Sequence, residues 1–165
     1  MKVALSTDHT GLAYGGVVEE VLKHLEDLGH ECVYFGPKSL DMGDDYPDFM
    51  FPAATAVASN ECHIGIILGG SGQGEAMAAN RIKNVRCTVF YGQAVAKNSV
   101  DAEGHVNRDP YEILRLSRQH NHANMLSLAT RFLSLDEIKT AITVWLDTPY
   151  SNSQRHIRRV RKLDS

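Results

Sequence analysis

Short β-branched runs alternate along this chain with longer stretches in which apolar residues recur every three or four positions. Lys2 to Thr7 predicts a first strand. Leu12 to Leu28 has helical periodicity, with Gly29 as its C-terminal stop. Glu31 to Phe35 predicts a second strand, closed by Gly36-Pro37, and a polar loop follows to Tyr46-Pro47. A helix rich in Ala, Phe and Val then extends to about Ser59. The third strand ends at Leu68, a helix lies around Glu75 to Asn80, and Val85 to Tyr91 is a fourth strand. Asp109-Pro110 reads as an N-cap with proline at the first helical position, opening a helix to about Arg118. Met125 to Thr130 is a fifth strand. Ser134 to Leu146 is a helix with Leu135, Ile138, Ala141, Ile142 and Trp145 on one face.

Five strands alternating with helices predict one doubly wound, Rossmann-like domain over residues 1–165: a five-stranded parallel sheet with helices on both faces. Ligands of such sheets gather at the C-terminal strand ends. That edge collects Asp8, His9, Ser71, Glu75 and Arg131, which are remote in sequence. One connection, about residues 92–108, is long for a strand-to-helix link. It is either a solvated insertion or a rim that shapes a pocket.

Composition narrows the partners. A net charge of −3 gives no overall electrostatic reason to expect nucleic acid. No apolar run approaches a membrane span, and the N-terminus reads as a strand. Cys32, Cys62 and Cys87 are scattered through apolar segments, as reduced thiols of a cytoplasmic protein would be.

The chemistry concentrates in Gly69-Gly70-Ser71-Gly72-Gln73-Gly74-Glu75. A strand, a glycine turn and a helix start in series leave backbone N–H groups free to face an anion or a developing oxyanion. Neither dinucleotide-binding nor P-loop spacing is present. Glycines alone would describe a tight turn. The added Ser71 and Glu75 favour a reactive site, in which a carboxylate takes a proton while the N–H groups hold the resulting charge.

Other groups read two ways. Asp8-His9 is a capped strand–helix turn, or an acid and an imidazole that bind hydroxyls and phosphate. His120-Asn121-His122 lacks metal-ligand spacing; His120 is an acid–base group or a histidine favoured by a helix dipole. The basic segment 150–165 is a solvated tail, or, if helical, carries Arg155 and Arg159 one turn apart as a phosphate clamp, with Arg131 as a further cation.

In this order Asp8-His9, Asp45-Tyr46-Pro47, the Gly69-to-Glu75 turn with Ala78-Ala79-Asn80, Ser117 to Asn121, Arg131 and Arg155…Arg159 resemble one family over nearly the whole chain. It is the family of ribose-5-phosphate isomerase B and the galactose-6-phosphate isomerase subunits. The resemblance implies aldose–ketose isomerisation through an enediolate. Its members take their base from a cysteine at the start of the turn or a glutamate at its end. Gly69 holds the cysteine position here, so the resemblance implies the glutamate type, with Glu75 as base. It further implies that Ser71 bonds the O1/O2 side while Gly70, Gly72 and Gly74 shape the enediolate cradle. His120, with Asp8 nearby, would open the furanose ring, and Tyr46 and Asn121 would contact the sugar. His9, Arg131, Arg155 and Arg159 would hold phosphate. A homodimer or tetramer with the site between subunits is implied, with no metal or organic cofactor. Ribose 5-phosphate and ribulose 5-phosphate lead as substrates. Galactose 6-phosphate/tagatose 6-phosphate, a four-carbon ketose phosphate, or a non-catalytic sensor or inactive partner subunit are the alternatives.

Overall fold

A run as apolar as Ile64–Leu68 forms a stable strand only when both its faces are covered. In the computed structural model, which describes residues 1–165, that run is the centre of a five-stranded parallel sheet. The elements follow in the order β1 (Lys2–Thr7), α1 (His9–Ala13), α2 (Val17–Asp27), β2 (Glu31–Tyr34), α3 (Pro47–Ala58) and β3 (Ile64–Gly69). They continue as α4 (Gln73–Ala79), β4 (Cys87–Phe90), α5 (Glu112–Asn121), β5 (Met125–Ala129), α6 (Leu135–Asp147) and α7 (Gln154–Leu163). The strand order is β2-β1-β3-β5-β4. It reverses direction between β1 and β3, which opens the crevice where such folds bind ligands.

Alternation along the strands builds two cores. Val3, Leu5, Ile64, Ile66, Leu68, Leu126 and Leu128 face α2, α5 and α6 and pack with Val21, Leu25, Leu114, Ile138, Ile142 and Trp145. Ala4, Ile67 and Met125 face α3 and α4 and pack with Met50, Ala53, Val57 and Ala79. The Trp145 indole is fully buried, donates to Ser117 Oγ at 3.1 Å, and lies under the Arg118 guanidinium. A capping box at Ser134 and Glu137 opens α6. No helix is long and apolar enough to cross a membrane.

The structure differs from the sequence expectations at three helix boundaries. The helix expected over Leu12–Leu28 is two helices, because Gly15 and Gly16 take positive φ of 31° and 81° and break the spiral. Asp109 does not cap α5. Its Oδ1 accepts from the Tyr111 N–H, its other oxygen pairs with Arg115, and the helix begins at Glu112 and runs past Arg118 to Asn121. The turn helix begins earlier than Glu75, at Gln73, which puts Glu75 in its first turn.

The outer edge of β4 is closed by a side chain. Asn80 Nδ2 donates to the Cys87 carbonyl at 2.9 Å, and Asn80 Oδ1 accepts from the Cys87 N–H at 2.7 Å. Arg86, just before this strand, holds Asp164 past the end of α7 through two bonds of 2.8 Å.

Truncating the fully buried Ile66 is expected to cost about 2–5 kcal/mol, whereas Ser134→Ala, which removes only the α6 cap, is expected to cost about 1 kcal/mol. Urea unfolding of the two variants measures the contrast.

Candidate active site

The glycine turn beyond β3 is held from β5. The Gly69 carbonyl accepts from the Thr130 N–H at 2.8 Å and from Thr130 Oγ1 at 3.0 Å. The Arg131 N–H donates to the Gly70 carbonyl at 3.2 Å, and Ser127 Oγ donates to the Gly72 carbonyl at 2.8 Å. Gly72, at φ 73°, caps α4. Ser71 is exposed; its Oγ accepts from the Gln73 N–H at 3.3 Å, and it lines a cavity of about 220 Å³ with Gln73, Tyr91 and Phe132.

Glu75 is buried, with 6% of its surface exposed. Its side chain folds back over Gly69, where a β-carbon would stand 2.2 Å from the Glu75 carboxyl carbon. Burial pushes the carboxyl above its ordinary pKa, and the neighbouring Asp8 charge adds to the effect. The N–H groups of Glu75 and Gly70 and the Arg131 guanidinium oppose it without cancelling it. The Arg131 guanidinium stands over Gly70, and the Tyr46 ring over Gly74.

Asp8 is buried at the end of β1, where its Oδ1 accepts from the Thr10 N–H at 2.8 Å and caps α1. The His9 N–H donates to Asp44 Oδ2 at 2.8 Å, and His9 Nδ1 lies 2.5 Å from Asp44 Oδ1. This bond, with the Asp8 carboxylate 3.9 Å away, holds the imidazole above its ordinary pKa against the effects of burial and Arg131. The ligand atoms of Asp8, His9 and Asp44 lie within 4.8 Å of one another, but the Nδ1 that would face a cation is already committed to Asp44.

The remaining candidates lie elsewhere. His120 and Asn121 end α5, which leads into the start of β5, so they sit at the sheet edge opposite the turn. The His120 ring is 4.2 Å from that of His156, whose Nδ1 meets Ser151 Oγ at 2.8 Å. Burial, His120, Arg155 and Arg159 all press the His156 pKa down. The segment carrying Arg155 and Arg159 is helical, so they stand one turn apart on α7, and Arg155 reaches Glu103 at 3.9 Å.

One chain therefore gathers Asp8, His9, Tyr46, Gly70, Ser71, Gly72, Gly74, Glu75 and Arg131. It keeps His120, Asn121, Arg155 and Arg159 as a second cluster. The expected closeness of His120 to Asp8 does not hold within a chain, because in a parallel sheet the end of α5 and the end of β1 fall at opposite edges. Sequence reasoning also missed Asp44, Ser127, Thr130 and His156. The acidic pair Asp44-Asp45 beside Tyr46 was the one available signal. The others act across tens of residues, with no local pattern to mark them.

Fold and site define a doubly wound α/β protein with a buried carboxyl at its switch-point turn, a class suited to small-molecule chemistry. The chain belongs to the ribose/galactose isomerase family, whose model matches residues 3–107 and 108–163. It is 32% identical over 160 residues to ribose-5-phosphate isomerase B of Mycobacterium leprae, covering 97% of this chain and 86% of that protein. Ribose-5-phosphate isomerase B of Clostridium thermocellum superposes with a TM-score of 0.81 at 31% identity, covering 99% of this chain and 95% of the other. The Mycoplasma genitalium enzyme with bound ribulose-5-phosphate gives 0.81 at 30% identity, covering 99% and 93%.

Because the Glu75 pKa is raised on folding, its contribution to stability is fullest below the unfolded pKa and is lost as pH rises through the folded one. Glu75→Gln is therefore expected to leave the urea midpoint equal to or above wild type at pH 8. Its relative advantage should shrink toward pH 4. A variant that is less stable at pH 8 than at pH 4, relative to wild type, contradicts the burial argument.

Proposed function

We propose that the chain interconverts ribose 5-phosphate and ribulose 5-phosphate through an enediolate, with Glu75 as the base, in a site completed by a second copy of the chain. The observation that carries the reading is the Glu75 carboxyl, buried over Gly69 beside the turn in a member of the isomerase family. A raised pKa suits a carboxylate to both accept and return a proton. Glu75 takes the hydrogen from C2 of the open-chain aldose. The C–H electron pair becomes the C1=C2 bond, and charge develops on O1. Ser71 and the N–H groups around Gly70, Gly72 and Gly74 meet that charge. Return of the proton to C1, with transfer of the O2 proton to O1 as the C2 carbonyl forms, gives the ketose.

Ring opening precedes this step. His120 shifts a proton between O1 and the ring oxygen, with Asp8 of the other chain across the sugar. Tyr46 and Asn121 contact the hydroxyls, and His9, Arg131, Arg155 and Arg159 hold the phosphate. The split between the two clusters supports this shared site, since one chain alone does not bring His120 or the α7 arginines to Glu75. Three free thiols, with burial pushing Cys32 up to about 11, suit a cytoplasmic setting.

Incubation in D₂O with ribose 5-phosphate, galactose 6-phosphate and erythrulose 4-phosphate, followed by NMR, tests the chemistry. Exchange of the carbon-bound hydrogen should be fastest with ribose 5-phosphate. Exchange with another sugar alone would move the substrate, and binding without exchange would favour a sensor or inactive subunit. Glu75→Gln should lower kcat by about 10²–10⁴-fold while ligand binding persists.

Mixing Glu75→Gln with His120→Ala tests the shared site. Each variant alone should be nearly inactive. After subunit exchange, activity should return to roughly a quarter of wild type, because half the dimers are mixed and each mixed dimer regains one intact site. No recovery despite demonstrated exchange would contradict a site built from two chains.

A further inference from the structure

The geometry points to Asp44 as the residue that positions His9 for phosphate, by gripping the imidazole Nδ1 and the His9 backbone N–H together so that Nε2–H is the face left for the ligand. The inference rests on the reading of His9 as a phosphate ligand. Asp44 belongs to the polar loop before α3, thirty-five residues from His9, and its side chain is 7% exposed. Its two oxygens are divided between the two His9 donors, at 2.8 and 2.5 Å. A carboxylate bonded at Nδ1 fixes both the ring plane and the site of the proton on the other nitrogen. The same contact favours the imidazolium, which binds a phosphate dianion more strongly than neutral imidazole does.

The charges facing His9 come from every element around it. Asp8 at the end of β1 and Asp44 in the loop favour the charged ring, and Arg131 beyond β5 disfavours it. Asp8 lies 3.9 Å from Nδ1 and spends one oxygen on the Thr10 N–H. Arg131 adds positive charge to the same small region. Without Asp44, burial and Arg131 would act against only a distant carboxylate. His9 would then lose its proton at a lower pH than it does with Asp44 in place. Asp44 thus lets four cations, His9 and the three arginines, share one dianion without the imidazole dropping out as the weakest of them.

The test combines a titration with kinetics on wild type, Asp44→Asn and Asp44→Glu. The His9 ring resonance, followed by NMR without sugar, should titrate above about 6.5 in wild type and about one pH unit lower in Asp44→Asn. With ribose 5-phosphate, the ratio of variant to wild-type KM should rise roughly tenfold between pH 6 and pH 8, and the kcat ratio should stay flat. Taking ratios removes the titration of the substrate phosphate itself. Asp44→Glu, which keeps the charge, should restore much of the wild-type profile.

Equal His9 midpoints in wild type and Asp44→Asn would overturn the inference, as would a KM ratio independent of pH. A wild-type midpoint at or below 6.5 would overturn it without any variant, so a poorly folded Asp44→Asn does not rescue it. Inorganic phosphate separates this inference from the substrate assignment. If ribose 5-phosphate is not turned over, the isomerase reading fails, yet phosphate should still shift the His9 resonance and bind Asp44→Asn progressively less well than wild type as pH rises. A His9 resonance unmoved by phosphate in wild type overturns the positioning role itself.

Discussion

A β-carbon at Gly69 would clash with the Glu75 carboxyl, 2.2 Å from its carbon, and the site at the C-terminal edge is organised around the space its absence leaves. The carboxyl can lie over the backbone only there, shielded by the turn yet reached by the N–H groups of Gly70 and Glu75. That position raises its pKa through loss of hydration and limits the rise through donors already in place. The surrounding bonds serve the same end. Thr130, Ser127 and the Arg131 N–H fix the turn carbonyls. A side chain at residue 69 and the Glu75 carboxyl compete for one volume.

Electrostatics divides the chain into two unequal halves. At the β1 and β3 ends, acids and bases alternate closely enough to set one another's protonation: Asp8 against Glu75, Asp44 against His9, Arg131 against both. At the far edge, positive groups dominate, and the buried His156 is pressed toward its neutral form by His120 and two arginines. The first half sets the Glu75 carboxyl among His9 and Arg131; the second carries His120, Arg155 and Arg159 around His156.

Fold and chemistry were legible in the sequence to different depths. Continuous apolar runs at Val3–Leu5 and Ile64–Leu68 marked the strands, because a parallel strand covered on both faces is apolar on both. Glu75 stood out because its neighbours in the chain are also its neighbours in space. The break at Gly15-Gly16 was hidden by apolar periodicity running through it, and Asp109 took the form of a cap while bonding a turn instead. Asp44 and His9 meet only because β1 and the loop after β2 end side by side. That proximity is a property of strand order, which no short motif encodes.

The clasp between Asn80 and the β4 backbone has a consequence beyond local order. β4 is an outer strand, and an outer strand offers an unpaired row of amides on which another chain can extend the sheet. The Asn80 carboxamide occupies the Cys87 donor and acceptor in the manner of one residue of a sixth strand. The sheet thus carries its own terminator, drawn from the end of the helix that also bears Glu75, at the strand edge where another chain would otherwise extend it.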